Sequence, residues 1–282
     1  MELSGGLLIS AYIAYIYNMS QPIRVTAHIR LKDFNTDYHE GLDKDKTREK
    51  TQKLCEQIGE LQQLLYANGK FALLIVLQGM DTSGKDGTVR HVLDMVNPAG
   101  VETANFKAPS REELAHDYLW RIHKAVPRLG NIGVFNRSHY EDVLVVRVLN
   151  LQAPQVWRKR YEQINAFERH LAANNVVLLK FFLHISKQEQ AERLQARLDD
   201  PRKNWKFDPE DLKMRAHWGK FMRAYEDAIN RCSSPEAPWH IIPANRKWYR
   251  DYVVSKIVLN ALEDLQLTWP KPMPGLEKIK IT

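Results

Sequence analysis

The chain has 282 residues, of which 44% are hydrophobic and 27% are charged, so it has enough apolar surface to bury a large core. This balance excludes a disordered or fibrous protein. Lysine and arginine outnumber aspartate and glutamate by 41 to 34, and the net charge of +7 favours a polyanionic partner such as a nucleotide, a nucleic acid or polyphosphate.

An apolar run, LLISAYIAYIY at residues 7–17, stands near the start of the chain. It has neither the basic region nor the cleavage site of a signal peptide, and it is too short to span a bilayer alone. We interpret residues 1–18 as an atypical N-terminal extension, with a genuine anchor as the alternative, and expect no membrane partner. Cys55 and Cys232 lack CxxC spacing, which favours a reducing cytoplasm over a disulfide framework or a zinc site.

Apolar residues at helical spacing predict an amphipathic helix at about residues 43–68. Five apolar runs follow, starting at residues 71, 101, 131, 175 and 239, and four of them lack the alternation of half-exposed strands. Helical stretches separate these runs. We therefore predict an α/β fold with a five-stranded, mainly parallel sheet covered by helices, all in one domain at residues 19–282.

The first run leads into QGMDTSGKDG, in which Gly79, Gly84 and Lys85 match G-x-x-x-x-G-K between a strand and a helix. Such a loop turns backbone N–H groups toward an anion, and its lysine reaches the outer phosphates. The residues that we expect to contact phosphate are Gly79, Ser83, Gly84, Lys85, Asp86 and Gly87. The alternative is a glycine-rich turn that binds nothing.

Asp81 and Asp86 are unusual in such a loop, because carboxylates repel phosphate unless a metal or a proton lies between them. Magnesium is the natural mediator, since it accepts one or two carboxylates and bridges phosphate oxygens. We therefore predict Asp81 as a metal ligand. The alternative for both residues is a favourable interaction with the helix dipole.

The stretch SREELAHDYLWRIHKA after the second run begins with a capping box of Ser110 and Glu113, which predicts a helix. Lys107, Asp117 and Arg121 lie near the end of the second strand, where a second substrate could bind. Because Arg121 is four residues after Asp117, an ordinary ion pair on the helix surface is the competing interpretation.

The third run ends in GVFNRSHYED, which places Asn136 and Arg137 at the carboxyl end of a strand, the edge where ligands bind in parallel sheets. Asn136 stands where an acidic metal partner is usual. Arg137 could neutralise a transferring phosphoryl group, and a salt bridge to Glu141 or Asp142 is the alternative.

Residues 187–215 are basic, lack long apolar runs and separate the fourth and fifth strands, so we predict a lid there. Arg193 and Arg197 share one helical face, and Lys203 and Lys206 follow. These side chains could line a groove for an extended polyanion, or they could form a solvated charged surface.

Several long motifs resemble one family: GMDTSGKDG, FKAPSREELAHDYLWRIH, GVFNRSHYEDVLVVRV, RLDDPRKNWKF and WYRD. They closely resemble the second family of polyphosphate kinases, and NRSHYEDVLVVRV is similar to its class III branch. The resemblance extends from about residue 43 to residue 264. It implies a P-loop kinase-like three-layer sandwich with a helical lid.

The resemblance also implies transfer of phosphoryl groups between inorganic polyphosphate and AMP, ADP or ATP with magnesium or manganese, in a homo-oligomer (dimer or tetramer). Carried over by position, Asp81, Lys85 and Arg137 would be catalytic. Asn136 stands where some members have aspartate, so a metal role is not carried over to it. The lid residues that would face polyphosphate are Arg193, Arg197, Lys203 and Lys206.

The sequence favours direct, in-line transfer without a covalent enzyme intermediate. One rival is an ATP-dependent nucleoside monophosphate kinase, whose loop normally has Ser or Thr where this chain has Asp86. A second rival is a non-catalytic protein that binds nucleotides or nucleic acid. It would not need Asp81, Lys85 and Arg137 together, and the chain has no recognisable nucleic-acid-binding motif, so we expect no nucleic acid partner.

Overall fold

Five apolar segments pair into one sheet in this computed structural model, which describes residues 23–279 and 281. The strands are β1 (Ala72–Gln78), β2 (Val101–Asn105), β3 (Ile132–Asn136), β4 (Val176–His184) and β5 (Trp239–Pro243). Their order is β2-β3-β1-β4-β5, and every pairing is parallel. The predicted sheet is therefore confirmed, whereas the predicted extension at residues 1–18 lies outside the described residues.

Helices connect the strands and cover both faces of the sheet. They are α1 (Lys44–Asn68), α2 (Lys85–Val92), α3 (Arg111–Leu114), α4 (Trp120–Lys124), α5 (Val145–Val148), α6 (Pro154–Ala173), α7 (Lys187–Asp199), α8 (Pro209–Ala216), α9 (Trp218–Arg231) and α10 (Lys247–Glu263). The predicted leading helix is α1, which the Asp43 carboxylate caps and which ends at Gly69 with a φ of 59°. Within the described residues, no helix is long and apolar enough to cross a bilayer.

The side chains of β1 alternate between two apolar cores. Leu73, Ile75 and Leu77 pack in the core that includes residues of α1 and α10, whereas Leu74 and Val76 pack in a core that includes residues of α6. Both faces of β1 are thus covered, and all seven of its residues are buried. This explains why the run shows no polar alternation, and it confirms the three-layer α/β sandwich.

Residues at the start of the described chain cover the outer edge of β5. Arg24 forms an antiparallel bridge with His240. The Val25 N–H donates to the Trp239 carbonyl, and the Ile241 N–H donates to the Ile23 carbonyl, both at 2.8 Å. This short pairing satisfies backbone groups that the edge of the sheet would otherwise leave open.

The stretch predicted as one helix at residues 110–125 forms two short helices, α3 and α4. The Ser110–Glu113 capping box starts α3 as predicted. The chain then turns, and the Asp117 carboxylate accepts a hydrogen bond from the Leu119 N–H at 2.9 Å before α4 begins. A side chain that bonds to the backbone two residues on competes with helical pairing, which accounts for the interruption.

Candidate active site

The phosphate loop, residues 79–85, joins β1 to α2 at the carboxyl edge of the sheet. Gly79 and Gly84 have φ values of 152° and 103°, which residues with side chains rarely adopt. A Cβ atom on Gly84 would collide with the guanidinium of the buried Arg250, which would have to shift. The buried Lys85 ammonium donates to the Gly79 carbonyl at 2.9 Å. The motif therefore forms the predicted strand, loop and helix.

Arg137 and Asp81 form an ion pair across the carboxyl edge of the sheet. Arg137 Nη2 lies 2.5 Å from Asp81 Oδ1, and Arg137 Nη1 lies 3.6 Å from Glu141 Oε2. The Glu141 carboxylate raises the pKa of Arg137 against the effect of burial, and Asp81 adds to this effect. Part of the salt bridge considered as the alternative is thus present, yet 38% of the Arg137 side chain remains exposed. The guanidinium is therefore both charged and accessible.

Asn136 and Asp86 contact each other beside this pair. The Asn136 side-chain amide donates to Asp86 Oδ1 at 2.5 Å. Asn136 pairs with Leu77 in the register of β3 and β1, so it lies next to the end of the strand that leads into the phosphate loop. Asn136 thus orients the Asp86 carboxylate through a neutral donor.

A first cavity of about 480 Å³ lies over the phosphate loop. It brings together the three predicted catalytic residues Asp81, Lys85 and Arg137 with Asn136 and Asp86. The predicted lid residues Arg193, Arg197, Lys203 and Lys206 also line it. A concentration of cations of this kind suits a bound polyanion.

The lid segment, residues 187–215, forms α7, a 3-10 turn at Asn204–Lys206 and most of α8. Arg197 Nη1 donates to the Lys206 carbonyl at 2.9 Å and to Asp211 Oδ2 at 3.0 Å, and so joins three parts of the segment. Burial raises the pKa of Asp211 to about 6, and the nearby Asp81 adds to this shift. Lys203 Nζ lies 2.8 Å from Asp200 Oδ2.

A second cavity of about 1190 Å³ adjoins the first, and both are lined by Asp81 and Arg137. Its lining includes the predicted Lys107, Asp117 and Arg121. Apolar residues contribute much of the remainder, among them Phe106, Leu114, Tyr118, Val145, Val146, Leu149, Leu151 and Met214. An apolar cavity with a few polar groups is typical of a small-molecule site.

The ion pair considered between Asp117 and Arg121 is replaced by other contacts. Arg121 Nη1 donates to the Lys107 carbonyl at 2.9 Å and lies 3.6 Å from Glu113 Oε2. Asp117 instead accepts from the Leu119 N–H, because the chain turns between α3 and α4. Arg121 thus fixes the backbone at the end of β2 and lines the second cavity.

The carboxylates Asp81, Asp86 and Asp211 line the first cavity, beside the phosphate loop. In the described part of the chain, no group of three or more His, Cys, Asp or Glu side chains is arranged to hold a metal ion. Magnesium, however, commonly binds through one or two carboxylates together with substrate phosphates and several waters. The residues present therefore fit a divalent metal that arrives with phosphate.

Three further cations line the first cavity without having been predicted: Arg90, Lys247 and Arg250. Arg250 is buried against Gly84 and Gly87, with its Nε donating to Asp251 Oδ1 at 2.8 Å. Lys247 and Arg250 belong to the first turn of α10, which follows β5. The carboxyl end of a parallel strand is where ligands bind, so the position of these residues after β5 could have identified them from the sequence.

Comparisons with known proteins agree with this arrangement. The sequence model described as polyphosphate kinase 2 matches residues 41–269. An AMP/ADP-polyphosphate phosphotransferase from Meiothermus ruber is 55% identical over 228 residues, which are 81% of this chain and 85% of that protein. An ADP-polyphosphate phosphotransferase from Rhodopseudomonas palustris is 45% identical over 235 residues, covering 79% and 81% of the two chains.

A solved structure has the same architecture. The crystal structure of polyphosphate kinase 2 from Arthrobacter aurescens TC1 superimposes with a TM-score of 0.87 at 43% sequence identity, covering 89% of this chain and 90% of that one. The family match covers most of the chain, from before α1 to beyond the end of α10. The chain therefore belongs to the polyphosphate kinase 2 family.

Proposed function

We propose that this enzyme transfers phosphoryl groups between inorganic polyphosphate and nucleotides, converting AMP to ADP and ADP to ATP. The observation that carries the proposal is the meeting of a cationic cavity and a more apolar cavity at Asp81 and Arg137. Membership of the family and the names of the similar phosphotransferases support the same substrates.

Polyphosphate would occupy the first cavity as the phosphoryl donor. Its lining offers the charges of Lys85, Arg197, Lys203 and Lys206, and Ala196 is the one apolar side chain among its described residues. A nucleoside donor would need apolar or aromatic surface for its base, whereas a chain of phosphates needs cations alone. This contrast favours polyphosphate over ATP as the donor.

The nucleotide acceptor would occupy the second cavity. The apolar surface there suits a nucleobase, and Lys107, Arg121 and Arg137 are cations of the same lining that could bind its phosphate. An acceptor phosphate bound at Arg137 would lie where the two cavities meet, beside the phosphate loop. The two substrates would thus approach each other head to head, as in-line transfer requires.

In this arrangement the residues position the substrates and stabilise charge. Lys85 and the N–H groups at the start of α2 would hold the phosphoryl group, and Arg137 would offset the charge that develops during transfer. We propose that Asp81 holds magnesium, which would offset the negative charge of the phosphate oxygens. The acceptor oxygen is already anionic, so the mechanism needs little base catalysis.

We also propose a homo-oligomer and a cytoplasmic location. The resemblance noted in the sequence supports the first. The second is supported by Cys55 and Cys232, which are both buried free thiols, as a reducing compartment maintains.

A donor assay tests the function. The purified protein is incubated with AMP, magnesium and either polyphosphate or ATP, and ADP and ATP are measured over time. We expect polyphosphate to support formation of both products, and Lys85→Ala to reduce the rate by about 100-fold or more. Phosphorylation of AMP by ATP but not by polyphosphate would refute the proposal in favour of a nucleoside monophosphate kinase.

A further inference from the structure

Thr82 occupies a strained position at the centre of the phosphate loop. Its φ is 65°, in the left-handed region that β-branched residues rarely adopt. Among the described residues, its buried hydroxyl has no hydrogen-bond partner, so the side chain does not stabilise this conformation. Strain of this kind costs about 1–3 kcal/mol and persists only where surrounding contacts enforce it.

Two side chains of α7 supply such contacts. Gln190 donates from Nε2 to the Asp81 carbonyl at 3.0 Å. Arg193 donates from Nη1 to the carbonyls of Thr82 at 2.9 Å and Ser83 at 3.0 Å. Two side chains that lie about one turn apart on α7 therefore hold three consecutive carbonyls of the loop.

Every donor of Arg193 has an acceptor. Besides the two loop carbonyls, Nη2 donates to the carbonyls of Ala244 at 2.6 Å and Asn245 at 2.9 Å, and Nε donates to Glu189 at 2.6 Å. A guanidinium has five N–H donors, and all five are used within the protein. Only 9% of the side chain is exposed. This arginine has no donor left for a substrate phosphate.

Gln190 is equally constrained. It is fully buried, and its Oε1 accepts from Arg215 Nη1 at 3.0 Å, which orients the amide toward Asp81. The same Arg215 nitrogen donates to the Lys187 carbonyl at 2.6 Å, so α8 is tied to the start of α7. The contacts run from α8 through α7 to the backbone of the loop.

We propose that Gln190 and Arg193 are positioning residues that hold the strained loop with its carbonyls toward α7. The Asp81 carboxylate and the N–H groups that begin α2 are then aimed at the phosphoryl group before substrate binds. This differs from direct contact between Arg193 and polyphosphate, and it rests on the proposed phosphoryl-transfer function of the loop.

The Arg193→Lys variant separates the two roles. Lysine keeps the charge that a phosphate ligand needs, but one ammonium does not reproduce the fork that reaches both pairs of carbonyls. We expect kcat to fall about 100-fold while the KM for polyphosphate changes by less than about threefold, because misplaced reacting groups act mainly on the chemical step. An unchanged kcat with a raised KM for polyphosphate would overturn the proposal.

A second substitution tests the strain directly. Glycine adopts positive φ without steric cost, so Thr82→Gly in the Arg193→Lys background should recover about tenfold of the lost kcat. If Arg193 bound phosphate directly, a glycine at position 82 would not restore the lost contact. Absence of any recovery would therefore count against positioning.

Hydrogen exchange of the loop provides a readout without substrate. In the ligand-free protein, we expect the amides of Ser83, Gly84 and Lys85 to exchange about tenfold faster in Arg193→Lys than in the wild type. Gln195→Ala, an exposed change on the same helix, is the matched control and should leave them unchanged. Equal exchange rates in Arg193→Lys and in the wild type would refute the inference. This readout does not depend on the outcome of the donor assay, because it needs no substrate.

Discussion

Asp81 and Asp86 are two carboxylates of one loop with different surroundings. Asp81 pairs with Arg137 and borders both cavities, whereas Asp86 is exposed and accepts a hydrogen bond from Asn136. The geometry thus adds to the distinction that the sequence already made between the two residues. Asp81 is the residue placed between the proposed donor and acceptor.

We predict that Asp81→Asn lowers kcat by about 100- to 1,000-fold and raises the magnesium concentration needed for half-maximal rate, because a charge beside the transferring group is lost. Asp86→Asn should cost about tenfold or less, since the amide can still pair with Asn136. Magnesium titrations of the two variants, with the exposed Asp94→Asn as control, provide the measurement. Equal losses in both loop variants would contradict this distinction.

At the scale of elements, the lid segment is connected through Arg197. Its guanidinium joins α7 to the 3-10 turn through the Lys206 carbonyl and to α8 through Asp211. Arg197 also lines the first cavity. Removing it would take away a cation and leave the Asp211 carboxylate unpaired beside the proposed polyphosphate site.

We therefore predict that Arg197→Met raises the KM for polyphosphate about tenfold, the effect of one charge-assisted hydrogen bond, while the KM for AMP stays within about twofold. Steady-state kinetics with each substrate varied in turn check this. Lys220→Met removes an exposed cation that lines neither cavity, and it should leave both constants unchanged. A matching rise in the KM for AMP would show that the effect is not specific to the polyphosphate site.

At the scale of the whole molecule, two histidines are buried at the side of the sheet formed by β4 and β5. Burial lowers the pKa of His184 to about 4 and that of His240 to about 3. In the unfolded chain both have a pKa of about 6.5, so the unfolded state binds more protons below that pH. Their contribution to stability is present above about pH 6.5 and is lost as the pH falls toward 4.

We predict that each histidine lowers the free energy of unfolding by about 2 kcal/mol between pH 7 and pH 5. His184→Gln does not titrate, so it should lose about 2 kcal/mol less over this interval than the wild type. Urea denaturation at the two pH values measures the difference, and the exposed His28→Gln is the control. If the wild type and His184→Gln lost equal free energy of unfolding between pH 7 and pH 5, His184 would not be the titrating group.

Periodicity and motif spacing in the sequence were enough to predict α1, the five strands, the phosphate loop and the position of Arg137 at the carboxyl end of β3. These features can be predicted because each depends on residues that are close together in the sequence. A strand buried on both faces appears as an apolar run, and a phosphate loop appears as glycines between a strand and a helix. The interruption between α3 and α4 was missed, since the Asp117 hydrogen bond to Leu119 competes with a helix that the pattern equally allows.

The division of labour among the cations was decided only by the tertiary structure. In sequence, Arg193 and Arg197 are equivalent positions on one helical face. Folding directs four donors of Arg193 to backbone carbonyls and the fifth to the Glu189 carboxylate, and leaves the Arg197 side chain more exposed. Arg250, far along the chain, packs against Gly84. The sequence by itself determined the fold and the strand, loop and helix of the phosphate-loop motif, because both depend on local residue patterns. How many donors each cation keeps free for a ligand depends on contacts between distant segments.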